Sequence, residues 1–143
     1  MLTRLDCDEA LRWLRQARHT LESIRVDLEG GFYDWACFKS HQAAEFALKA
    51  LLRAAGVESF GHNLLELWRR AARLCRELEP LYECIASLNK LYIPPRYPDA
   101  WAAGVAPYVS FTRRDAVEAL GCAERVVEAV EVCIRGACPN PQE

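Results

Sequence analysis

Apolar residues recur along this chain in steps of three and four, the spacing that places them on one face of a helix. The first such stretch predicts a helix from about Asp8 to Glu29, which Gly30 and Gly31 end with a tight reversal. A second stretch predicts a helix from about Phe32 to Ala55, which stops before Gly56. We expect these two helices to lie side by side.

The same spacing continues through the second half of the chain. It predicts a third helix that carries Leu64 to Leu74 and a short fourth helix from Leu81 to about Leu91, which Pro80 opens. A last helix follows Thr112, which with Asp115 resembles a capping box. No credible strand or internal repeat is present, so the pattern predicts an all-α fold.

One segment departs from the helical pattern. Residues 92–111 are irregular in sequence, and Pro94, Pro95 and Pro98 exclude a regular helix there. Five helices with short links and one long excursion are typical of an antiparallel, up-and-down bundle of the four-helix type. A loop of this length in a compact domain is usually functional.

The second predicted helix carries polar residues on an otherwise apolar surface. They fall within about 60° of one another on a helical projection: Asp34, His41, Gln42, Glu45 and Lys49. A helix that is apolar nearly all round is usually buried, and unpaired buried polar groups cost about 1–3 kcal/mol each. The row is either a packing network or a polar wall that presents Lys49 and His41 to an anion such as phosphate.

Two further places could receive an anion. Gly61 and His62 precede the third helix, whose free amides favour an anion, although His62 or Asn63 could instead cap the helix. Arg96, in the segment Arg96-Tyr97-Pro98-Asp99, is held between prolines and suits phosphate through its planar guanidinium. The alternative for that segment is an Arg96–Asp99 pair that fastens the excursion to the bundle.

Length and charge restrict the class of protein. The 143 residues suit one domain over residues 1–143, and 52% of them are hydrophobic. A net charge of −2 argues against bulk binding of nucleic acid. No apolar run approaches the roughly 20 residues that span a bilayer, and no signal peptide is recognisable. We therefore expect a cytoplasmic protein with no membrane contact.

Neither the cysteines nor the histidines form a pattern typical of a metal site. Seven cysteines are scattered without a Cys-x-x-Cys pair, and the three histidines lack ligand spacing. We expect no metal site and interpret most cysteines as small buried apolar residues, with disulfides as the alternative. No P-loop, nucleophile-elbow, zinc-protease or dinucleotide motif is present, so no catalytic residue is predicted.

Several segments together resemble the HEPN domain, the helical domain of higher eukaryotes and prokaryotes linked to nucleotide binding. They are residues 31–36 (GFYDWA), residues 41–51 (HQAAEFALKAL), residues 61–64 (GHNL) and the Arg96-Tyr97-Pro98 excursion before a final amphipathic helix. The resemblance covers nearly the whole chain in order and spacing. It implies an up-and-down helical bundle that is commonly homodimeric.

The resemblance also implies candidate functions. Small prokaryotic members are often found with a minimal nucleotidyltransferase in toxin–antitoxin pairs, and some branches are metal-independent ribonucleases with an Arg followed four to six residues later by His. This chain has no histidine after Arg96. We therefore expect a binding module for a nucleotide or a nucleotidyltransferase partner, with no tightly held cofactor. Lys49 and Arg96 would hold phosphate, Gln42 and Glu45 would orient Lys49, and His62 would add a donor.

Two alternatives stay open. One is a ribonuclease that pairs Arg96 with a histidine outside the usual motif. The other is a purely structural homodimeric helper. Trp13, Trp68 and Trp101 exceed what one small core needs, so this apolar surface favours a homodimer.

Overall fold

The computed structural model describes residues 5–138 and is all-α, as the apolar spacing predicts. Its five α-helices are α1 (Cys7–Gly30), α2 (Tyr33–Ala54), α3 (Leu64–Ala71), α4 (Tyr82–Asn89) and α5 (Arg113–Ala137). Three short 3-10 helices cover Arg76–Leu81, Pro98–Ala100 and Pro107–Ser110. Within residues 5–138 there is no strand.

The ends of the long helices are fixed by local chemistry. Gly31 follows α1 with φ of 83°, a left-handed conformation that glycine adopts without strain. At the start of α5, Thr112 Oγ1 accepts from the amide of Asp115 at 3.2 Å, and the Asp115 carboxylate accepts from the amide of Thr112 at 2.9 Å. The predicted capping box is confirmed.

Helix α2 lies at the centre of the bundle and packs against α1, α3, α4 and α5. Its small residues are almost completely buried, with exposures of 0–6%: Ala36, Ala43, Ala47, Ala50 and Ala54. Side chains this small let neighbouring backbones approach closely. The polar row of α2 is therefore carried by the most enclosed element of the fold.

Two predicted boundaries differ in the structure. Helix α3 ends at Ala71 rather than continuing to Leu74. Pro80 does not open α4 but lies within the 3-10 helix Arg76–Leu81. Proline has no amide hydrogen, so Pro80 removes an i→i−4 bond and the tighter 3-10 turn takes its place before α4 begins at Tyr82.

The tryptophans that suggested surplus apolar surface are partly buried and bonded within the chain. The indole N–H of Trp13 donates to Glu9, that of Trp68 to the carbonyl of Leu78, and that of Trp101 to the carbonyl of Pro94. The interpretation of these three residues as surplus surface for a homodimer was therefore wrong, because each packs within its own chain. The homodimer itself stays a prediction.

The interpretation of most cysteines as unlinked buried residues was also wrong. Three disulfides join Cys7 to Cys138, Cys75 to Cys133 and Cys84 to Cys122. The bundle brings together cysteines that are 131, 58 and 38 residues apart, which spacing alone does not reveal. Cys37 is free and buried, and burial raises the pKa of its thiol to about 12.

Within the described residues, no helix is both long enough and apolar enough to cross a membrane.

Candidate functional site

Glu45 organises the polar row of α2. Its side chain is buried, and its Oε2 accepts from the ammonium of Lys49 at 2.9 Å, one turn further along the helix. Both carboxylate oxygens also accept from Nδ1 of His62, at 3.0 and 3.1 Å. His62 comes from the loop before α3, so this contact connects α2 to that loop. The Lys49 partner follows from helical spacing, whereas the His62 partner does not.

His41 is completely buried beside this network. Its Nε2 lies 3.1 Å from the backbone carbonyl of His62, and its Nδ1 lies 3.1 Å from the amide group of Gln42. Burial lowers the pKa of His41 and favours the neutral ring. The Gln42 atom at this distance is Oε1, so each ring nitrogen of His41 faces an acceptor oxygen, and the neutral ring donates to one of the two.

Tyr92 connects the network to the proline-rich excursion. The His62 ring stacks on the Tyr92 ring, with centroids 4.4 Å apart and planes inclined by 18°. The Arg96 guanidinium lies 4.5 Å from the same ring centroid and also contacts the rings of Phe38 at 4.0 Å and Tyr97 at 4.8 Å. We call these five residues, Phe38, His62, Tyr92, Arg96 and Tyr97, the Tyr92 shelf.

Hydrogen bonds fix the direction of Arg96. Its Nε donates to the carbonyl of Tyr92 at 2.9 Å, and its Nη1 donates to the hydroxyl of Tyr97 at 3.4 Å. Nη2 has no hydrogen-bond partner among residues 5–138, and no ion pair joins Arg96 to Asp99 there. The prediction that Arg96 pairs with Asp99 to fasten the loop is therefore wrong.

The N-terminus of α3 is already satisfied by side chains. The amide oxygen of Asn63 accepts from the backbone amides of Leu65 and Glu66, and that of Asn89 accepts from the amide of Leu64. Asn63, not His62, is the cap. These bonds occupy the amides that an anion would need at this helix end. A hydrogen bond to an anion here would therefore come from the side chain of His62.

The structure brings most of the sequence-predicted residues together. His41, Gln42, Glu45, Lys49 and His62 form one network, and Tyr92 joins it to Arg96 and Tyr97. Asp99 lies apart, exposed in the 3-10 helix Pro98–Ala100. His19, the remaining histidine, is exposed on α1.

Sequence reasoning missed Tyr92 and Phe38, which connect the two halves. The available signal was the position of Tyr92, which stands between the end of α4 and the first proline of the excursion. A residue at this position follows a helix of the bundle and lies four residues before Arg96, so it can contact both. Phe38 gave a weaker signal, since it lies one turn before Gln42 on the same helix.

The charges of the site favour an anion. Lys49 and Glu45 form a buried pair, with side-chain exposures of 8% and 4%, so the carboxylate is neutralised where it lies. Arg96 therefore gives the shelf a net positive charge. The His62 side chain, which is 48% exposed, can add a hydrogen-bond donor. Tyr97 and the adjoining Trp35 are exposed at 47% and 44% and offer flat apolar surface.

Comparison with known proteins identifies the fold. Residues 10–133 match the family model of the HEPN domain. The chain belongs to the HEPN family. TT1696 from Thermus thermophilus, a solved structure, is 43% identical in sequence, with a TM-score of 0.77 over 87% of this chain and 97% of that one. ST0689, an archaeal HEPN homologue of known structure, is 38% identical, with a TM-score of 0.72 over 87% of this chain and 97% of its own.

Two relatives with lower sequence identity differ in size. MJ1304 of Methanocaldococcus jannaschii, which is named as a candidate toxin, is 28% identical over 127 residues, covering 83% of this chain and 84% of that protein. Human sacsin is also 28% identical over 127 residues, but the matched region is 86% of this chain and only 3% of sacsin. The resemblance to sacsin therefore concerns one small part of a much longer protein.

Proposed function

We propose that this HEPN module binds a nucleotide and holds its phosphate on the Tyr92 shelf. The observation that carries the proposal is the packing of Arg96 and His62 against one ring, at 4.5 and 4.4 Å from the Tyr92 centroid. Two donors held on one rigid aromatic side chain suit a single phosphate group. Arginine with an unused nitrogen can add a charge-assisted bond there.

The other polar residues position this pair. The ammonium of Lys49 is buried against Glu45, so we assign Lys49 to neutralising the carboxylate rather than to contacting phosphate. Glu45 fixes the His62 ring through Nδ1 and leaves Nε2 as the atom that faces a ligand. His41 holds the backbone of His62, and Gln42 holds His41.

Exposed aromatic rings next to the shelf suit a nucleobase. Trp35 contacts the Phe38 ring edge-on at 6.3 Å between centroids, and the Tyr97 ring contacts the Arg96 guanidinium at 4.8 Å. Stacking of a base on an aromatic side chain contributes about 1–3 kcal/mol. A nucleotide with its base on either ring would place its phosphate close to Arg96.

A thermal-shift screen tests this proposal. Purified protein is screened against nucleoside mono-, di- and triphosphates with and without Mg²⁺, since a ligand at 100 times its Kd adds about 2.7 kcal/mol of stability. We expect a saturable shift that is lost in Arg96→Ala and in His62→Ala. Arg114→Ala is the matched control, because Arg114 is 88% exposed and pairs with Glu118 in the same helix, α5. Failure of every nucleotide to shift the wild-type protein would contradict the proposal.

A second candidate function is RNA cleavage, and the Glu45–His62 contact favours it. A carboxylate that holds Nδ1 fixes the tautomer of the imidazole and leaves Nε2 able to take a proton, as a general base requires. Arg96 on the same ring would stabilise charge on the phosphate. His62→Gln should abolish cleavage of single-stranded RNA by protein free of host nuclease, and RNA left uncut by the wild-type protein would exclude this function.

The module could also act through a protein partner. The name of MJ1304, a candidate toxin, supports a toxin–antitoxin type of pair. We propose a minimal nucleotidyltransferase as the second component. Light scattering of the isolated chain tests for the homodimer, and co-purification with a nucleotidyltransferase encoded beside it tests for the pair. A dimer without any nucleotide shift would instead favour the structural helper.

A further inference from the structure

An open groove lies beside the Cys75–Cys133 disulfide, away from the residues of the Tyr92 shelf. It has a volume of about 500 Å³ and runs between the turn after α3, the 3-10 helix Arg76–Leu81 and the end of α5. Arg73, Arg76, Glu77 and Cys133 are among its lining residues. Cys75 is buried, and Cys133 is partly exposed.

Oxygen acceptors surround the two sulfur atoms of this disulfide. Glu77 Oε1 lies 3.0 Å from Cys133 Sγ and 3.9 Å from Cys75 Sγ. The carbonyl of Ala129 lies 3.5 Å from Cys75 Sγ. A disulfide has no hydrogen to donate to either acceptor, whereas a thiol does. These surroundings therefore fit the reduced pair better than the oxidised pair.

The Cys84–Cys122 disulfide has the opposite kind of neighbour. The guanidinium of Arg125 lies with Nη1 3.6 Å from Cys84 Sγ, so a donor faces this sulfur. A donor suits a disulfide sulfur, which can only accept. Two disulfides of the same chain thus differ in the chemistry around them.

We propose that, once a dithiol reductant opens the Cys75–Cys133 disulfide, Cys75, Cys133 and Glu77 bind a zinc ion. Thiol–disulfide exchange transfers two electrons and two protons to the pair and oxidises the reductant to its own disulfide. Zinc then displaces the two thiol protons and binds both thiolates and the carboxylate. One ligand atom from each residue already lies within 4.8 Å of the others.

The ligand set determines the class of metal. Two thiolates select a soft or borderline ion such as Zn²⁺ over Mg²⁺ or Ca²⁺, and one carboxylate is compatible with that choice. The groove is also lined by Arg73, Arg76 and Glu79, whose charges sum to +1 and offset the surplus negative charge of three anionic ligands around Zn²⁺. Glu77 and Cys133 line the open groove, so water can supply a fourth ligand from that side. Cys75 and Glu77 lie at the start of the 3-10 helix Arg76–Leu81, whereas Cys133 lies 58 residues further along in α5. The absence of a Cys-x-x-Cys pair therefore does not exclude the site.

Cobalt titration of the full chain tests this site. Protein reduced with a phosphine and kept anaerobic is titrated with Co²⁺, followed by displacement with Zn²⁺. We expect one Co²⁺ per chain with a thiolate-to-cobalt charge-transfer band, and no band in protein that keeps its disulfides. Glu77→Gln, which leaves both cysteines in place, should weaken binding at least about 10-fold, the lower end of the loss caused by removing an outer hydrogen-bonding partner of a metal ligand. Cys133→Ser should abolish the charge-transfer band.

The matched control is the double variant Cys84→Ser/Cys122→Ser, which removes two cysteines but keeps the proposed ligands. It should bind Co²⁺ as the wild type does, and circular dichroism confirms that each variant is helical. Reduced, folded wild-type protein that binds no cobalt would overturn the proposal. Equal cobalt affinity of the wild type and Glu77→Gln would overturn it as well.

Discussion

The imidazole of His62 donates through Nδ1 to the carboxylate of Glu45, at 3.0 Å, across 17 residues of sequence. The contact joins the most buried helix to a ring that is nearly half exposed. A carboxylate inside the bundle thus sets the orientation of a donor at its surface. Lys49 also donates to Glu45, and its positive charge offsets the desolvation cost of burying the carboxylate.

The Glu45–Lys49 pair should be strongly coupled. Glu45→Gln leaves the Lys49 ammonium buried without its counter-charge, and breaking such a pair costs about 3–5 kcal/mol. Adding Lys49→Met removes the orphaned charge and should recover most of that loss. Urea unfolding of the single and double variants measures the coupling. Additive effects of the two substitutions would show that the charges do not interact.

The stability of the fold should fall as the pH drops below neutral, partly because of His41. Burial lowers the pKa of His41 from its usual 6.5, so the unfolded chain binds a proton more readily than the folded one. The contribution of His41 is then complete above about pH 7 and is lost as the pH falls towards the folded pKa, with a slope of at most about 1.4 kcal/mol per pH unit.

Urea unfolding between pH 7 and 5 checks this contribution. Burial is the largest influence on the pKa of His41 and lowers it, whereas the Glu45 carboxylate, the Gln42 amide and the His62 carbonyl favour the protonated ring. His41→Gln should unfold with a shallower pH dependence than the wild type. His19→Gln, at the exposed histidine of α1, is the control and should keep the wild-type slope. Parallel profiles for wild type and His41→Gln would contradict the assignment.

Arginine at position 96 should not be replaceable by lysine. The guanidinium contacts three rings and donates to the carbonyl of Tyr92, whereas an ammonium keeps only the charge. We expect Arg96→Lys to weaken nucleotide binding about 10-fold, equivalent to about 1.4 kcal/mol. Calorimetric titration compares it with Arg96→Ala. Wild-type affinity in Arg96→Lys would mean that charge alone is recognised.

The disulfides should differ in how much they stabilise the chain. Cys7–Cys138 spans 131 residues and Cys84–Cys122 spans 38. Chain entropy predicts that losing the longer link costs about 1 kcal/mol more than losing the shorter one. Urea unfolding of Cys7→Ser/Cys138→Ser and Cys84→Ser/Cys122→Ser under oxidising conditions tests the order. A reversed order would show that contacts in the folded state outweigh loop length.

Local rules predicted most of the helical architecture. The long helices begin and end within one or two residues of their predicted bounds, because Gly31 and the Thr112–Asp115 capping box mark ends directly in the sequence. The end of α3 and the role of Pro80 were not predicted. A 3-10 turn and an α-turn have similar apolar spacing over so few residues.

Only part of the candidate site could be predicted from the sequence. Glu45 and Lys49 are four residues apart on one helix, so their pairing follows from helical geometry. The contacts of His62 with Glu45 and of Arg96 with Tyr92 depend on how a loop and the excursion lie against the bundle. The disulfides were missed for the same reason, because tertiary packing decides which cysteines meet.

The imidazole resonances of the three histidines give the sharpest test of nucleotide binding on the Tyr92 shelf. Heteronuclear NMR of the side-chain nitrogens, recorded during titration with the nucleotide selected by thermal shift, reports each ring separately. We expect a saturable change in the chemical shifts of His62 and a smaller one at His41, through its contact with the His62 carbonyl. The exposed His19 should show none. A nucleotide that binds without moving the His62 resonances would contradict the account and place the ligand elsewhere.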